Sequence, residues 1–271
     1  MTLSLTRRGR GLGCVTGDRD DDRHIRYPAG VLIGAGSPGP RASMADLVFV
    51  PPGYSFADQQ SKQECVGWYL TQCVHIRMRA MGLAPITPSP SGVYYQALCR
   101  ANGGPDGIWD GGCNPHDAWE SQRETGIVTY DRHPHTMSLD APDPGDYRVA
   151  ADHDWLRYRW VLSSGQARVN EVVALLASRR PVGFACDVDQ ALEDWVPGHA
   201  PWQRVSKSLG GHAMTMVGYD TLSSGSRVFI VANSWGDVHD HGFFLMSESQ
   251  LAGGECRYIV TPDINPASVP R

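Results

Sequence analysis

A chain of 271 residues, 41% apolar and 20% charged, is long enough for a real hydrophobic core and ordinary in composition for a globular protein. Its formal net charge of −5 gives no electrostatic reason to expect nucleic acid or an anionic membrane surface as partner. No apolar run approaches the roughly 20 residues that span a bilayer, so no membrane partner is expected. Residues 1–10 are basic but lead into no apolar stretch, so they do not read as a secretory signal, and a cytoplasmic location is the default.

Residues 1–45 are polar and rich in glycine and proline, with alternating charge from Asp18 to Arg26. They read as an extended arm that wraps the core and through which an assembly partner would be tied. Residues 47–50, Leu-Val-Phe-Val before Pro51-Pro52-Gly53, predict a short strand ended by a turn. A run of amides and charges over residues 59–64 then ends on Cys65 and opens into a helix. Its apolar face is Val66, Trp68, Tyr69, Cys73, Val74, Ile76 and Met81, and Gly82 is its stop.

Prolines 85, 88 and 90 argue against regular structure over 84–91. Residues 93–98 predict one or two helical turns, 102–112 a glycine-rich loop, and Asn114 to Gly126 a second helix with an Asn or Asp near its start. Residues 131–147 have little apolar periodicity and read as a crossover. Within them His133-Pro134-His135 lacks a cysteine or carboxylate partner at ligand spacing and reads as loop, so no metal is implied. A helix over 169–177, a buried strand over 181–188 and strands over 212–219, 228–233, 242–246 and 257–260 follow. Helices thus concentrate in the first half and strands in the second. That pattern predicts an α+β protein of two lobes, helical over about 46–135 and β-rich over about 147–271.

Seven cysteines (Cys14, Cys65, Cys73, Cys99, Cys113, Cys186 and Cys256) include no C-x-x-C pair, which argues against a zinc knuckle or a redox dithiol. Without a secretory signal, free thiols are expected. Cys65 differs from the others in its place at a helix start, where unpaired N–H groups and the helix dipole favour a thiolate. His212 follows Gly210-Gly211 at the start of a strand, and Asn233 ends an apolar strand just before Ser234-Trp235-Gly236. A cysteine with a distant histidine and asparagine is a nucleophile arrangement once folding gathers them. Histidine takes the thiol proton, asparagine fixes the ring through its other nitrogen, and tryptophan shields that bond from water. A glutamine amide, with the backbone N–H of the nucleophile, can donate to a developing oxyanion.

These residues together resemble the papain-like cysteine peptidases, and among them the bacterial, archaeal and phage members without a long propeptide. The family pattern is Gln, five residues, then Cys at a helix start, as Gln59 and Cys65 stand here. Gly211-His212-Ala213 and Asn233-Ser234-Trp235-Gly236 match in type and order, and Gly242-Phe243-Phe244 is similar to the strand that follows. Gly13-Cys14-Val15, with residues 18–27, resembles the short leader of such members. The resemblance implies a papain-like two-lobed fold with the active site in the cleft between a helical lobe and a barrel-like β lobe. It implies a cysteine endopeptidase that cleaves a protein or peptide substrate through a thioacyl-enzyme. Cys65 would be the nucleophile, His212 the base, Asn233 the orienter and Gln59 the oxyanion donor, with no metal or organic cofactor. Gly111 and Gly112 are the candidates for the glycine pair that binds substrate backbone, although the count to Gly126 puts Gly112 first and Cys113 second. Trp235 would sit beside the substrate.

The sequence departs from the family at several points. Val66 replaces an aromatic, Lys62 stands where secreted members carry a bridged cysteine, and His239 stands where a second tryptophan is expected. About 45 residues precede the first core strand, too few for the helical inhibitory propeptide of secreted relatives. His239 and His241 read as a solvated loop. Two other readings are a structural component of an assembly such as a virus particle, placing the protein in a virion, and an acyl transferase or amidase using the same thiolate. The intact quartet argues against the first, and Asn-Ser-Trp-Gly against the second.

Overall fold

The computed structural model describes residues 11–15, 41–150 and 155–269, with 148–150 and 268 described by backbone alone. The charged stretch from Asp18 to Arg26 lies outside the described residues. In chain order the elements are β1 (Ala42–Ser43), α1 (Cys65–Ala80), α2 (Pro90–Asn102), α3 (Pro115–Thr125), α4 (Pro144–Ala150), β2 (Leu156–Trp160) and α5 (Gly165–Ala177). They continue with β3 (Val182–Val188), α6 (Gln190–Glu193), β4 (Gly210–Thr221), β5 (Arg227–Ala232), β6 (Phe243–Ser247), α7 (Glu248–Ala252) and β7 (Arg257–Ile264). The strands form one antiparallel sheet in the order β2-β7-β3-β4-β5-β6, with β1 added to β4.

The helix ends follow from local chemistry. Ser89 caps α2 by accepting from the Gly92 N–H, and Pro90 takes the first helical position, where its missing N–H costs nothing. Asn114 and Pro115 start α3 in the same way. Residues 84–89 are irregular as expected, apart from an isolated bridge at Pro88, but residues 90 and 91 are not. Pro90 begins a 13-residue helix, where only one or two turns were expected. The strand expected over 47–50 is also absent. Residues 45–47 form a 3-10 turn, and the Phe49 backbone pairs at both N–H and C=O with the Gln72 side-chain amide. A side chain on α1 takes the place of a neighbouring strand.

Two apolar clusters make the core. One surrounds α5 and β3–β6, and the other gathers α1, α2, α3, β2 and β7. Helix α1 joins them: Thr215 on β4 donates to the Tyr69 carbonyl at 3.2 Å, and Ala213 and Ala185 seal the sheet against the helix. This seating brings the first residue of α1 beside the start of β4.

On α1, His75 is buried with its Nδ1 2.7 Å from Thr87 Oγ1, and burial, aided by the Arg79 cation, lowers its pKa from 6.5 to about 4. Its imidazole is therefore neutral in the folded protein. The unfolded chain takes up a proton below pH 6.5, whereas the folded chain does not until about 4. Stability is accordingly full above pH 6.5 and falls as the pH drops towards 4, by up to about 3 kcal/mol from this group. Denaturant melts of wild type and His75→Gln across that window test this. A stability difference that stays flat with pH contradicts it.

Candidate active site

Cys65 is the first residue of α1 and fully buried. Burial pushes its thiol up to about 12, against the N–H groups of Ala213, Gly13 and Val66 that face the sulfur and pull the other way. The thiolate expected from helix position alone is outweighed in this conformation, because the sulfur is covered.

His212 on β4 is fully buried, and its Nε2 lies 2.8 Å from Asn233 Oδ1, which follows the end of β5. The Asn233 oxygen also accepts from the Ser234 N–H at 2.8 Å, which identifies it as the acceptor side of the amide. Nε2 therefore carries the proton, and Nδ1 is the basic nitrogen. Trp235 stacks on the imidazole at 4.5 Å between ring centroids. His239 tilts against Trp235 at 5.9 Å and makes an edge contact with Trp195, taking the place of a second tryptophan. It is not the solvated loop residue expected, whereas His241 is exposed beside Asp237.

Gln59 is buried, and its two ends are fixed. Its Oε1 accepts from Ser234 Oγ at 2.6 Å, and its Nε2 donates to the Lys62 and Gly11 carbonyls at 2.8 and 3.0 Å. The glutamine thus ties the segment before Cys65 to the segment after Asn233. The main-chain bond from the Gln59 N–H to the Ser234 carbonyl, 2.9 Å, reinforces the tie.

Beneath the nucleophile lies a charged cluster that sequence reading missed. Lys62 and Glu64 are both fully buried and 3.1 Å apart. Lys62 Nζ donates to Ser91 Oγ and to the Thr136 and Ser138 carbonyls. Glu64 accepts from Trp68 Nε1 and Ser91 Oγ, and His135 Nδ1 is 2.6 Å from its Oε1. The expected crossover loop, His135 included, is therefore pinned to the start of α1 by hydrogen bonds from Lys62 and by the His135–Glu64 contact. A polar run before a helix gives no hint that its lysine is buried.

The opposite wall is the glycine loop. Asp110 accepts from the Gln63 N–H and Tyr94 Oη, and Tyr94 Oη accepts from the Gly112 N–H. Gly111 and Gly112 line a cavity of about 330 Å³ with Leu98, Ile108 and Trp109, whereas Cys113 presents both backbone groups to the cleft.

Residues 11–15 lie in that cleft as a strap. The Cys113 N–H donates to the Gly13 carbonyl at 2.8 Å, and the Val15 N–H donates to the Cys113 carbonyl at 3.1 Å, making a parallel bridge between Cys14 and Cys113. On the other side, the Cys14 N–H donates to the Gly211 carbonyl, just before His212. A Cβ on Gly13 would stand 1.6 Å from the Gln63 carbonyl oxygen, and one on Gly112 2.1 Å from the Gly13 oxygen. Only glycines permit so close a fit. The strap turns the Gly13 N–H towards the Cys65 sulfur, so a hydrogen-bond donor faces the thiol.

The papain family cysteine protease model matches residues 99–261, more than half the chain; the match includes His212 and Asn233 and begins beyond Cys65. The chain belongs to the papain family of cysteine proteases, a family of hydrolases. Its fold is similar to that of xylellain, a cysteine protease from Xylella fastidiosa, with a TM-score of 0.74 at 21% identity over 97% of this chain and 100% of that one. It is also similar to digestive procathepsin L 3 from Tenebrio molitor larval midgut (TM-score 0.69, 16% identity, 97% of this chain and 78% of that one). Bromelain from Ananas comosus, solved in complex with the E64 inhibitor, gives 0.63 at 19% identity over 84% of this chain and 100% of that one. Comparison with curated protein sequences gives no match. Among the described residues, no helix is long and apolar enough to cross a membrane.

Proposed function

We propose that the protein is an endopeptidase in which Cys65, His212, Asn233 and Gln59 act as one unit on a peptide held in the cleft. The observation that carries this reading is the His212–Asn233 bond of 2.8 Å under Trp235, with the amide of the next residue, Ala213, facing the Cys65 sulfur. His212 Nδ1 takes the Cys65 proton, and the sulfur attacks the substrate carbonyl carbon. Negative charge then develops on the carbonyl oxygen, where the Cys65 N–H donates together with the Gln59 Nε2 hydrogen that the Gly11 carbonyl holds while the strap is closed. His212 returns the proton to the leaving amine, and the C–N bond breaks to leave a thioacyl-enzyme. A water then gives its proton to His212 and its oxygen to the acyl carbon, releasing the acid and the thiol.

The backbone groups of Cys113 and Gly211 used by the strap are those an extended substrate would use. The apolar cavity beside Gly111 and Gly112, with Val15 at its edge, suits an apolar substrate side chain. The helical lobe would supply Cys65 and the β-rich lobe His212 and Asn233, so catalysis needs both.

An epoxide inhibitor that alkylates thiols, followed by peptide mapping, tests this in Gly13→Val, whose side chain has no room in the closed strap. Selective labelling of Cys65, slowed by roughly 10²-fold or more in Gly13→Val/His212→Ala, is the expected result. Labelling spread over all seven cysteines and indifferent to His212 overturns the reading.

A further inference from the structure

Cys14 and Cys113 have no part in the chemistry above, yet they are bridge partners across the cleft. Both are buried free thiols, at 7% and 2% exposure. The Cys113 N–H donates to the Gly13 carbonyl and the Val15 N–H to the Cys113 carbonyl, one bond on either side of Cys14, and these fix the pair in register. Strands paired in this way lie about 4.8 Å apart, within the 4.4–6.8 Å Cα separation that a disulfide spans. We propose that Cys14 and Cys113 are a redox latch, joined by a low-molecular-weight disulfide such as glutathione disulfide so that the strap is locked over Cys65.

The exchange balances without any other reactant. When the strap lifts, the Cys14 sulfur attacks the glutathione disulfide, breaking its S–S bond, and one glutathione leaves as thiol with the Cys14 proton. When the strap closes again, Cys113 displaces the second glutathione from Cys14, and that thiol leaves with the Cys113 proton. Two protein thiols are oxidised and one glutathione disulfide is reduced to two thiols. Burial holds both thiols far above their ordinary pKa while the strap is closed, so the first attack belongs to the open strap. Once the bond forms, reopening needs a reductant.

The proposal rests on the reading of Cys65 as the nucleophile only for its effect on activity, and the test separates the two. Wild type and Cys14→Ser are equilibrated in oxidised and in reduced glutathione, quenched in acid and mapped for crosslinked peptides. Each is also labelled at Cys65 with the epoxide inhibitor. Expected is a Cys14–Cys113 crosslink in oxidised wild type, labelling of Cys65 slowed by roughly 10²-fold relative to the reduced protein, and recovery on reduction. Cys14→Ser should label at one rate in both buffers. Recovery of Cys14 and Cys113 as thiols, a crosslink confined to Cys186 and Cys256, whose side chains are in hydrogen-bond contact, or equal slowing in Cys14→Ser overturns the latch. A crosslink that forms while Cys65 in reduced Gly13→Val labels no faster than the other cysteines supports the bond and instead strikes the nucleophile reading.

Discussion

Replacing Cys65 by alanine is expected to lower kcat/KM on a peptide substrate by on the order of 10⁴-fold or more, because in the proposed mechanism its sulfur forms the acyl bond. The measurement belongs in the Gly13→Val background, where the strap no longer competes. His212→Ala should cost nearly as much, since the thiol then has no partner to take its proton. Their double variant should lose little more than either alone, as groups that act on one step are not additive. Gln59→Ala should lose less, about 10²–10³-fold, as one of two oxyanion donors. The buried Gln59 Oε1 also holds Ser234, so Gln59→Glu is the informative partner. It keeps the reach but supplies no N–H, and its activity should fall to that of alanine. Progress curves on a fluorogenic peptide give these values. Cys65→Ala with more than a hundredth of the parent rate would end the proposal.

The second large effect concerns stability. Lys62→Met removes a cation that sits 3.1 Å from a carboxylate with no access to water, leaving the buried Glu64 without its lysine. A loss of about 3–5 kcal/mol is expected, or roughly 10 °C in Tm for a chain of this size. The Thr136 and Ser138 carbonyls lose their donor at the same time, so hydrogen exchange should quicken across the loop that carries them. Lys62→Met/Glu64→Gln should recover part of the loss, because the coupling lies between the two charges. Equal melting temperatures for wild type and Lys62→Met, read by calorimetry, would show that the pair is dispensable.

The parts legible in the sequence were those whose signal is local. The helix behind Cys65 shows in its apolar spacing and in Gly82, which has the positive φ of 73° that a helix stop favours. Strands β3, β4 and β5 show as apolar runs bounded by turns, and so did the family pattern built on Gln59, Cys65, His212 and Asn233. What stayed hidden depends on contacts made far along the chain. Leu47 to Val50 has strand composition, but Gln72 claims the backbone of Phe49. Leu156–Trp160 alternates buried and less buried residues, yet its interleaved arginines disguised the strand. Nothing near Lys62 in the chain shows its burial, because Thr136 and Ser138, which surround it, lie over seventy residues on. Gly-Leu-Gly-Cys-Val reads as part of an arm that wraps the core, but that Cys113 and Gly211 hold it on both sides shows only in the fold.

The pin at Lys62 has a further consequence for how the cleft can respond to its surroundings. The start of α1 is fastened by Coulomb attraction and donated hydrogen bonds, not by a sulfur bridge, so its tightness does not depend on the thiol potential of the medium. A reducing medium that keeps Cys14 and Cys113 apart leaves the Cys65 scaffold as rigid as before. Cover and foundation therefore answer to different variables, and the first can be loosened without weakening the second.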